Sequence, residues 1–392
     1  MTEFTKKTIN LLQEFSIPLI TGVVLVLIWA NISPESYLHI IENEIMGDIT
    51  LHFLVNEIFM VFFFAIATIE IIQSLLPGGD LHPVKRVVNP ICSTFGGVIG
   101  PVVVYLVLNY FIGSNEFTSG WGIPTATDIA LAWIVAKFIF GPNHPAVSFL
   151  LLIAIIDDGI GLIIIAVFYP DPVNPVIPAW LILTAAGMIL AYMFNKKNIK
   201  SYWPYILFSG ALSWFGLYLA HIHAALALVF IMPFLPRKQR ETVGLFEATP
   251  MAKSTLENFE NEFKIFVDFG LLVFGLTNAG VTFSSINQVT WLVYLALIIG
   301  KTGGIYITSF ISTLFGFSLP KGMNKKDLFV AGIVSSLGLT VALFLAGTAF
   351  SNTNLQGAAK MGALISSSSA VVAFIISKLL KIKKSCKLEL KI

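Results

Sequence analysis

The chain has 392 residues, of which 56% are hydrophobic and only 12% are charged, and its formal net charge is +2. Soluble domains carry about a quarter charged residues, so this composition excludes an ordinary water-facing surface. The near-zero net charge gives no indication of nucleic-acid binding. Long apolar runs recur along the chain without the strict alternation of a β-barrel, which predicts an all-α polytopic membrane protein.

Lysines precede the first apolar run, as in a signal peptide, but no small-residue cleavage site follows promptly. The run is therefore predicted to be a retained first helix. The hydropathy pattern predicts about twelve membrane spans, at residues 13–31, 54–76, 88–112, 121–139, 146–169, 176–194, 202–219, 222–236, 262–283, 289–312, 327–350 and 358–381. Residues 41–52 alternate somewhat in polarity and predict a small external hairpin.

Alternating these spans across a bilayer places nearly all basic loop and tail residues on one side. They are Lys6, Lys7, Lys85, Arg86, Lys196, Lys197, Lys200, Arg237, Lys238, Arg240, Lys253, Lys321, Lys325, Lys326, Lys381, Lys383, Lys384, Lys387 and Lys391. The opposite side holds Lys360 and otherwise acidic or neutral residues, among them Glu35, Glu42, Glu44, Asp48, Glu116 and Asp171. The positive-inside rule then puts both termini in the cytoplasm. Cys92 lies in an apolar run and Cys386 in the basic tail, so no disulfide is predicted.

Two of the predicted spans are interrupted in corresponding places. Span four reads "GIPTATDIALAW" and span eleven reads "GIVSSLGLTVALF", each the middle member of a possible three-helix unit. The interrupting residues are Pro124, Thr125 and Thr127 in span four and Ser335, Ser336, Gly338 and Thr340 in span eleven. Paired interruptions of this kind indicate the ion site of a transporter. The alternative is two hydroxyl-rich helices that pack closely through small residues.

Span five carries two adjacent carboxylates, Asp157 and Asp158, in the motif "AIIDDGIG". An ionised carboxylate near the bilayer centre costs about 2.5–3.5 kcal/mol on insertion scales, so such a pair is kept only when hydrated, paired or protonated. Successive helical residues point about 100° apart, so one aspartate can face a cavity while the other finds a partner. Lys301, alone in the centre of span ten, is the predicted partner. The alternative is a purely structural ion pair that fixes helix packing. It would explain one aspartate and leave the other without a partner.

Asp128 adds a third carboxylate in broken span four, beside Thr127. A helix cap is the alternative role for it. Carboxylates, threonine hydroxyls and freed backbone carbonyls suit a hard cation such as Na+ or Li+. The sequence therefore predicts a cation and proton site at Asp128, Thr127, Asp157 and Asp158, with Lys301 as charge partner and no cofactor.

Other ionisable residues inside the spans give weaker signals. Glu70, near the cytoplasmic end of span two, is typical of a wetted funnel wall, and Glu57 lies on the same span. His223 could respond to pH, although a lone histidine at a helix start is more often structural. Asp268 in span nine has no obvious partner in the sequence, and no role is assigned to it.

These motifs carry a family resemblance. "GIPTATDIALA", "AIIDDGIGLIIIAVFY", "NAGV", "IIGK" and "GIVSSLGLTVALFLAGTAF", spread in order over nearly the whole chain, resemble the NhaA sodium/proton antiporters. The resemblance implies a single transporter domain in the bacterial inner membrane, with inverted repeats and with spans four and eleven crossing as discontinuous helices. A core at about residues 88–169 and 289–381 would move against a dimerisation panel at about 13–76 and 176–283, and the hairpin would aid a homodimer.

The resemblance also implies roles for single residues. Asp158 is similar to the family's principal Na+ and H+ carboxylate, Asp157 to the partner of the lysine Lys301, and Asp128 and Thr127 to residues that compensate facing helix ends. The implied activity is exchange of cytoplasmic Na+ or Li+ for external H+, with more protons than sodium ions moved. Such exchange is electrogenic and serves pH and sodium homeostasis.

Two places depart from the family pattern. After Glu70 the chain reads "IIQS" instead of a basic and an acidic residue, and before span nine it reads "LENFENEFKIF", without histidine. Both places are associated with pH activation, so we expect retained exchange with an altered or weak pH response. A degenerate homologue acting as a sensor or scaffold is an alternative, and an intramembrane aspartyl protease is a remote one because its "GxGD" signature is missing.

Overall fold

A computed structural model describes residues 16–46, 49–76, 84–170, 174–236 and 254–384. Two short strands, β1 (Glu44–Met46) and β2 (Ile49–Thr50), pair antiparallel, which confirms the hairpin predicted within residues 41–52. Predictions for some residues lie outside the described ranges, namely those for Lys6, Lys7, Asp48, Asp171, Arg237, Lys238, Arg240, Lys253, Cys386, Lys387 and Lys391. The rest of the description is almost entirely helical.

The helices are given in chain order. They are α1 (Ile17–Ile32), α2 (Pro34–Glu42), α3 (Leu51–Leu75), α4 (Val84–Ile112), α5 (Ile129–Phe140), α6 (Pro145–Phe168), α7 (Pro178–Lys196), α8 (Tyr205–Leu219), α9 (Thr255–Asn278), α10 (Gln288–Leu314), α11 (Lys325–Ser335), α12 (Thr340–Thr348) and α13 (Thr353–Leu379). Within the described ranges, six of them are long and apolar enough to cross a membrane, and two bent pairs raise the total to eight. The predicted class, a polytopic helical membrane protein, is confirmed.

The ends of several helices follow from capping residues. Asn324 accepts the backbone N–H of Asp327, whose carboxylate accepts the N–H of Asn324 in return (2.9 Å). Ser254 and Glu257 form the same reciprocal box at the start of α9. Each box satisfies backbone donors that have no partner in the first helical turn, so it fixes where the helix begins. Helix α9 therefore starts seven residues before the predicted span.

The predicted eighth span at residues 222–236 is not an α-helix. This segment contains only two short 3-10 turns, Ala224–Leu226 and Met232–Phe234, separated by further turns. Side chains from other helices bind its backbone: the Glu57 carboxylate accepts the N–H of Ala225 (3.3 Å), and the Ser213 hydroxyl donates to the carbonyl of Ala227 (3.0 Å). Irregular backbone at membrane depth is tolerated where protein groups satisfy it in this way.

Both predicted interruptions are present. The 3-10 helix Asn115–Thr125 precedes α5 at an angle of 57°, and α11 meets α12 at 46°. The two breaks lie against each other, since the N–H of Asp128 donates to the carbonyl oxygen of Leu337 (2.6 Å). The apolar exterior of the bundle suits a lipid environment: on α7, for example, Ile182 is 71% exposed.

Helices α4 and α10 meet backbone to backbone along a row of glycines. A Cβ atom on Gly96 would collide with the carbonyl oxygen of Gly304, and one on Gly100 would collide with that of Gly300. Only glycine permits so close an approach between two helices. Lys301 lies within this contact on α10 and is completely buried.

Candidate functional site

The predicted ion pair between Lys301 and Asp157 is present. The Lys301 Nζ atom lies 2.8 Å from Asp157 Oδ2, and both side chains are 0% exposed. The same ammonium group donates to the carbonyl oxygen of Thr125 (2.5 Å), which the break before α5 leaves free. A buried charge is tolerated only when it is paired and hydrogen-bonded, and here both conditions hold for the lysine.

Thr127 joins this pair to the second break. Its Oγ1 atom is 2.8 Å from Asp157 Oδ2 and 2.8 Å from the carbonyl oxygen of Ser335, at the end of α11. A threonine hydroxyl carries a single proton, so it donates to one of these oxygens at a time. Thr127 therefore connects α6 with both interrupted helices.

Asp128 caps two helices at once. One carboxylate oxygen accepts the N–H of Leu131 (3.0 Å) at the start of α5, and the other accepts the N–H of Thr340 (3.3 Å) at the start of α12. Helix N-termini carry a partial positive charge, which a carboxylate stabilises. The capping role considered for Asp128 is real, and it places a buried carboxylate between the two breaks.

Asp158 has a different environment from Asp157. It is 7% exposed, its Oδ1 atom is buried without a hydrogen-bond partner among the described residues, and it lines a cavity. Asp157 Oδ1 is likewise without such a partner. The expected division is present: one aspartate is held by a lysine, and the next is available in a cavity.

The cavity in front of Asp158 has a volume of about 310 Å³. Its polar lining comes from Ser16, Glu70, Asp128, Asp158, Lys264, Asp268 and Thr340. The carboxylates and the two hydroxyls offer the hard oxygen donors that suit a small cation. Within the described ranges, no three His, Cys, Asp or Glu side chains gather in a way that could hold a metal ion.

The two serine residues of the second break do not line this cavity. Ser335 Oγ donates to the carbonyl of Gly332 (2.7 Å) and Ser336 Oγ to that of Ile333 (2.6 Å), both within their own helix. The N–H and the carbonyl of Gly338 both bond to the Ser366 hydroxyl. These residues shape the break, and of the four named in span eleven only Thr340 lines the cavity.

Sequence reasoning missed Ser366 and Lys264 and gave no role to Asp268. The serine run at residues 366–369 was the signal for the first. A charge in the middle of an otherwise apolar stretch was the signal for Asp268. His223, expected to be structural, pairs with Glu57 (Nδ1–Oε1 3.2 Å), and neither residue lines the cavity.

Paired helix breaks around buried carboxylates, in a helical bundle with an apolar exterior, define a secondary transporter of small ions. The sequence profile of the family described as Na+/H+ antiporter 1 matches residues 6–377, so the chain belongs to that family. It is 65% identical over 379 residues to the Na(+)/H(+) antiporter NhaA of Desulfitobacterium hafniense (strain DSM 10664 / DCB-2), covering 97% of both chains. It is 58% identical over 378 residues to that of Geotalea uraniireducens (strain Rf4), covering 96% of this chain and 98% of the relative.

The fold is also similar to that of a solved archaeal antiporter. The sodium proton antiporter MjNhaP1 from Methanocaldococcus jannaschii, at pH 8, superposes with a TM-score of 0.54. The match covers 94% of this chain and 92% of that chain at 14% sequence identity, so it shows similarity of fold alone. The family resemblance predicted from the motifs is confirmed, and its members are transporters rather than enzymes.

Proposed function

We propose that the chain crosses the bacterial inner membrane and exchanges cytoplasmic Na+ or Li+ for external H+ by alternating access. The observation that carries this proposal is the contrast between the neighbouring aspartates. Asp157 is bound by Lys301, whereas Asp158 is buried in a cavity with an unpartnered oxygen. A carboxylate in that position can hold a proton or a cation, and competition between the two couples their movements.

Asp158 is the principal ion and proton carboxylate in this proposal. The free Oδ1 atom of Asp157 supplies a second carboxylate oxygen for the cation, and Thr127 orients Asp157 through its hydroxyl. Asp128 adds negative charge to the cavity while it holds the two helix starts together. Lys301 holds the other oxygen of Asp157, at 2.8 Å.

The location of the cavity supports a division of the chain into two moving parts. Asp128, Asp158 and Thr340 belong to the group at about residues 88–169 and 289–381, whereas Glu70 and Lys264 belong to the group at about 13–76 and 176–283. An ion site at the boundary between two bodies is what alternating access requires. The first group is the moving core in this proposal, and the second is a panel that pairs with a second copy, aided by β1 and β2.

The loop charges support twelve crossings with both termini in the cytoplasm, α5 and α11–α12 being parts of discontinuous spans. With this orientation, the positions of Ser16, at the start of α1, and Glu70, near the end of α3, favour a cavity that opens to the cytoplasm. Cytoplasmic Na+ enters there and displaces a proton. A shift of the core exposes the site to the outside, where protons displace Na+. With more protons than sodium ions moved, the cycle is electrogenic and serves pH and sodium homeostasis.

Glu70 is the proposed pH-responsive residue of the cytoplasmic funnel. The charged residues that usually follow it in the family are absent from this chain. Gln73 stands where the family pattern has charge, and its Nε2 donates to Glu260 Oε2 (2.7 Å). A neutral amide in this position does not titrate. We therefore expect a shallow pH–activity curve, and a curve as steep as that of the family would refute this part.

The test is antiport in everted membrane vesicles with an acidified interior and a fluorescent pH probe. Na+, Li+ and then K+ are added to wild type, to Asp158→Asn and to Glu35→Gln, whose carboxylate is exposed on α2. We expect Na+ or Li+ to dequench the probe in wild type and in Glu35→Gln but not in Asp158→Asn. Absence of any response from wild-type protein shown to be inserted and folded would favour the degenerate-homologue alternative. Full activity of Asp158→Asn would show that the site is elsewhere.

A further inference from the structure

Helix α9 carries charged residues on the face that borders the cavity. Glu260, Lys264 and Asp268 follow one another at four-residue spacing, so each lies one turn deeper and only about 40° around the helix from the last. Lys264 and Asp268 both line the cavity that contains Asp158. Asp268 lies about 20 Å along the helix from its first residue, a depth at which a charge needs a functional or structural reason.

The outer two of these residues are engaged with each other and with α3. Lys264 Nζ is 3.9 Å from Glu260 Oε1, and the other oxygen of Glu260 accepts the hydrogen bond of Gln73. Asp268 lies one turn further in, on the side toward Asp158. The charged residues that line the cavity are Glu70 from α3, Asp128 from the break before α5, Asp158 from α6, and Lys264 and Asp268 from α9. Among the described residues of the lining, acidic residues therefore outnumber the one basic residue.

The lining suits a cation, because Asp158 is more than nine-tenths buried, lines the cavity beside further acidic residues, and has an oxygen without a hydrogen-bond partner among the described residues. A cleft lined by one sign of charge, with walls of low dielectric constant, raises the local concentration of counter-ions. We propose that Asp268 acts through this field: it draws cations from the cytoplasm toward Asp158 and so sets the apparent affinity for Na+, while Lys264 opposes it. This inference rests on the proposed exchange function.

A field acts on Na+ and H+ alike, since each carries one positive charge. Removing the charge of Asp268 should therefore weaken the binding of both ions at Asp158 by a similar factor. At alkaline pH, where the site is empty of protons before Na+ arrives, the KM for Na+ should rise. At acidic pH the weaker proton competition should cancel the weaker Na+ binding, and KM should stay nearly constant. A structural defect would not produce this pH signature.

The experiment measures Na+-dependent antiport in vesicles as a function of Na+ concentration, at alkaline and acidic pH and at two ionic strengths. For Asp268→Asn we expect KM at alkaline pH to rise about tenfold, with a smaller rise at high ionic strength. The maximal rate should stay within about twofold. Lys264→Gln should lower KM, and the double variant should return toward wild type. Glu35→Gln, outside the cavity, serves as the matched control.

The outcomes separate this inference from the proposed function. If wild type exchanges Na+ for H+ and the alkaline KM of Asp268→Asn is unchanged, the field role is wrong and the exchange function stands. A KM that rises equally at both pH values would also overturn the field role, because it would indicate direct binding of Na+ by Asp268. If Asp268→Asn fails to insert, Lys264→Gln decides: a raised or unchanged KM overturns the inference. Absence of exchange in wild type overturns the proposed function itself.

Discussion

The break before α5 and the break between α11 and α12 touch each other, but they contribute different chemistry. The first presents the carboxylate of Asp128, which caps both α5 and α12, and the carbonyl of Thr125, which accepts from Lys301. The second contributes no charged side chain, and the hydroxyls of Ser335 and Ser336 bond within their own helix.

This difference shows that charged side chains at one of the two breaks can serve the helix ends of both. The starts of α5 and α12 both have partial positive charge and share one carboxylate, whereas freed carbonyls near the opposite helix ends meet one ammonium group and one threonine hydroxyl. The second break therefore contributes shape and backbone, and the first contributes charge. Substitutions at the two breaks should differ accordingly.

The largest effect is expected from Lys301→Met. The change leaves Asp157 buried without its cation, and breaking a buried pair from one side costs about 3–5 kcal/mol. We expect a strong loss of thermal stability in detergent, measured by unfolding followed with size-exclusion fluorescence, together with loss of antiport. Lys326→Met, at an exposed lysine of α11, is the control. An unchanged unfolding temperature in Lys301→Met would contradict the role given to the pair.

Gly338→Ala should come next, because it acts on the contact between the breaks. A Cβ atom there would lie 3.1 Å from the carbonyl oxygen of Ala126 and 3.1 Å from a methyl group of Leu297. Overpacking of this kind costs about 1–3 kcal/mol. The same substitution at Gly303, where an added methyl group would have nothing within 4 Å, is the matched control. Equal thermal stabilities of the two variants would show that the breaks are not tightly packed.

Asp128→Asn separates charge from capping. The amide oxygen can still accept from one helix start, so we expect a stability loss of only about 1 kcal/mol. The antiport rate should fall strongly although the protein stays folded, since the cavity loses a negative charge. Asp327→Asn, at the capping box of α11, is the control: a similar loss of stability is expected, with antiport retained. If both variants retained full antiport, Asp128 would be a cap and nothing more.

The smallest effect is expected from Ser336→Ala. Its hydroxyl bonds only to a carbonyl of the preceding turn, and such a bond adds little to helix stability. A change within about 0.5 kcal/mol and normal antiport are expected. Ser366→Ala removes a hydroxyl that accepts the N–H of Gly338 and donates to the carbonyl of Gly338 or of Ala363, so it should cost about 1–2 kcal/mol. A reversed order in thermal unfolding would show that side chains of α11 itself maintain the second break.

Much of this site could be predicted because its residues are out of place in an apolar sequence. Proline, glycine and clustered hydroxyls located both breaks, and Lys301 was the obvious buried cation for one of two adjacent aspartates. Helical geometry predicted that Asp157 and Asp158 would have different surroundings, since neighbours on a helix cannot point the same way. The family resemblance, and not the geometry, indicated that Asp157 is the one paired with Lys301.

The remainder depends on contacts that are distant in sequence. The segment at residues 222–236 is apolar enough to predict a helix, and only its contacts with Glu57 and Ser213 explain why the backbone is irregular. The position of Asp268 on the cavity wall depends on how α9 packs beside α1, α3 and α12, which periodicity alone does not specify. The hydrogen bond between Gln73 and Glu260 likewise joins residues far apart in the chain.

The glycine contact between α4 and α10 has a mechanical consequence. Ordinary helices meet through side chains, whose rotamers can absorb a small displacement. At Gly96, Gly100, Gly300 and Gly304 no side chain separates the two backbones, so this contact contains no compliant layer. A displacement of one helix is therefore passed to the other without loss. Lys301 follows directly after Gly300 in this contact, so a movement of α4 also moves the backbone that carries the lysine.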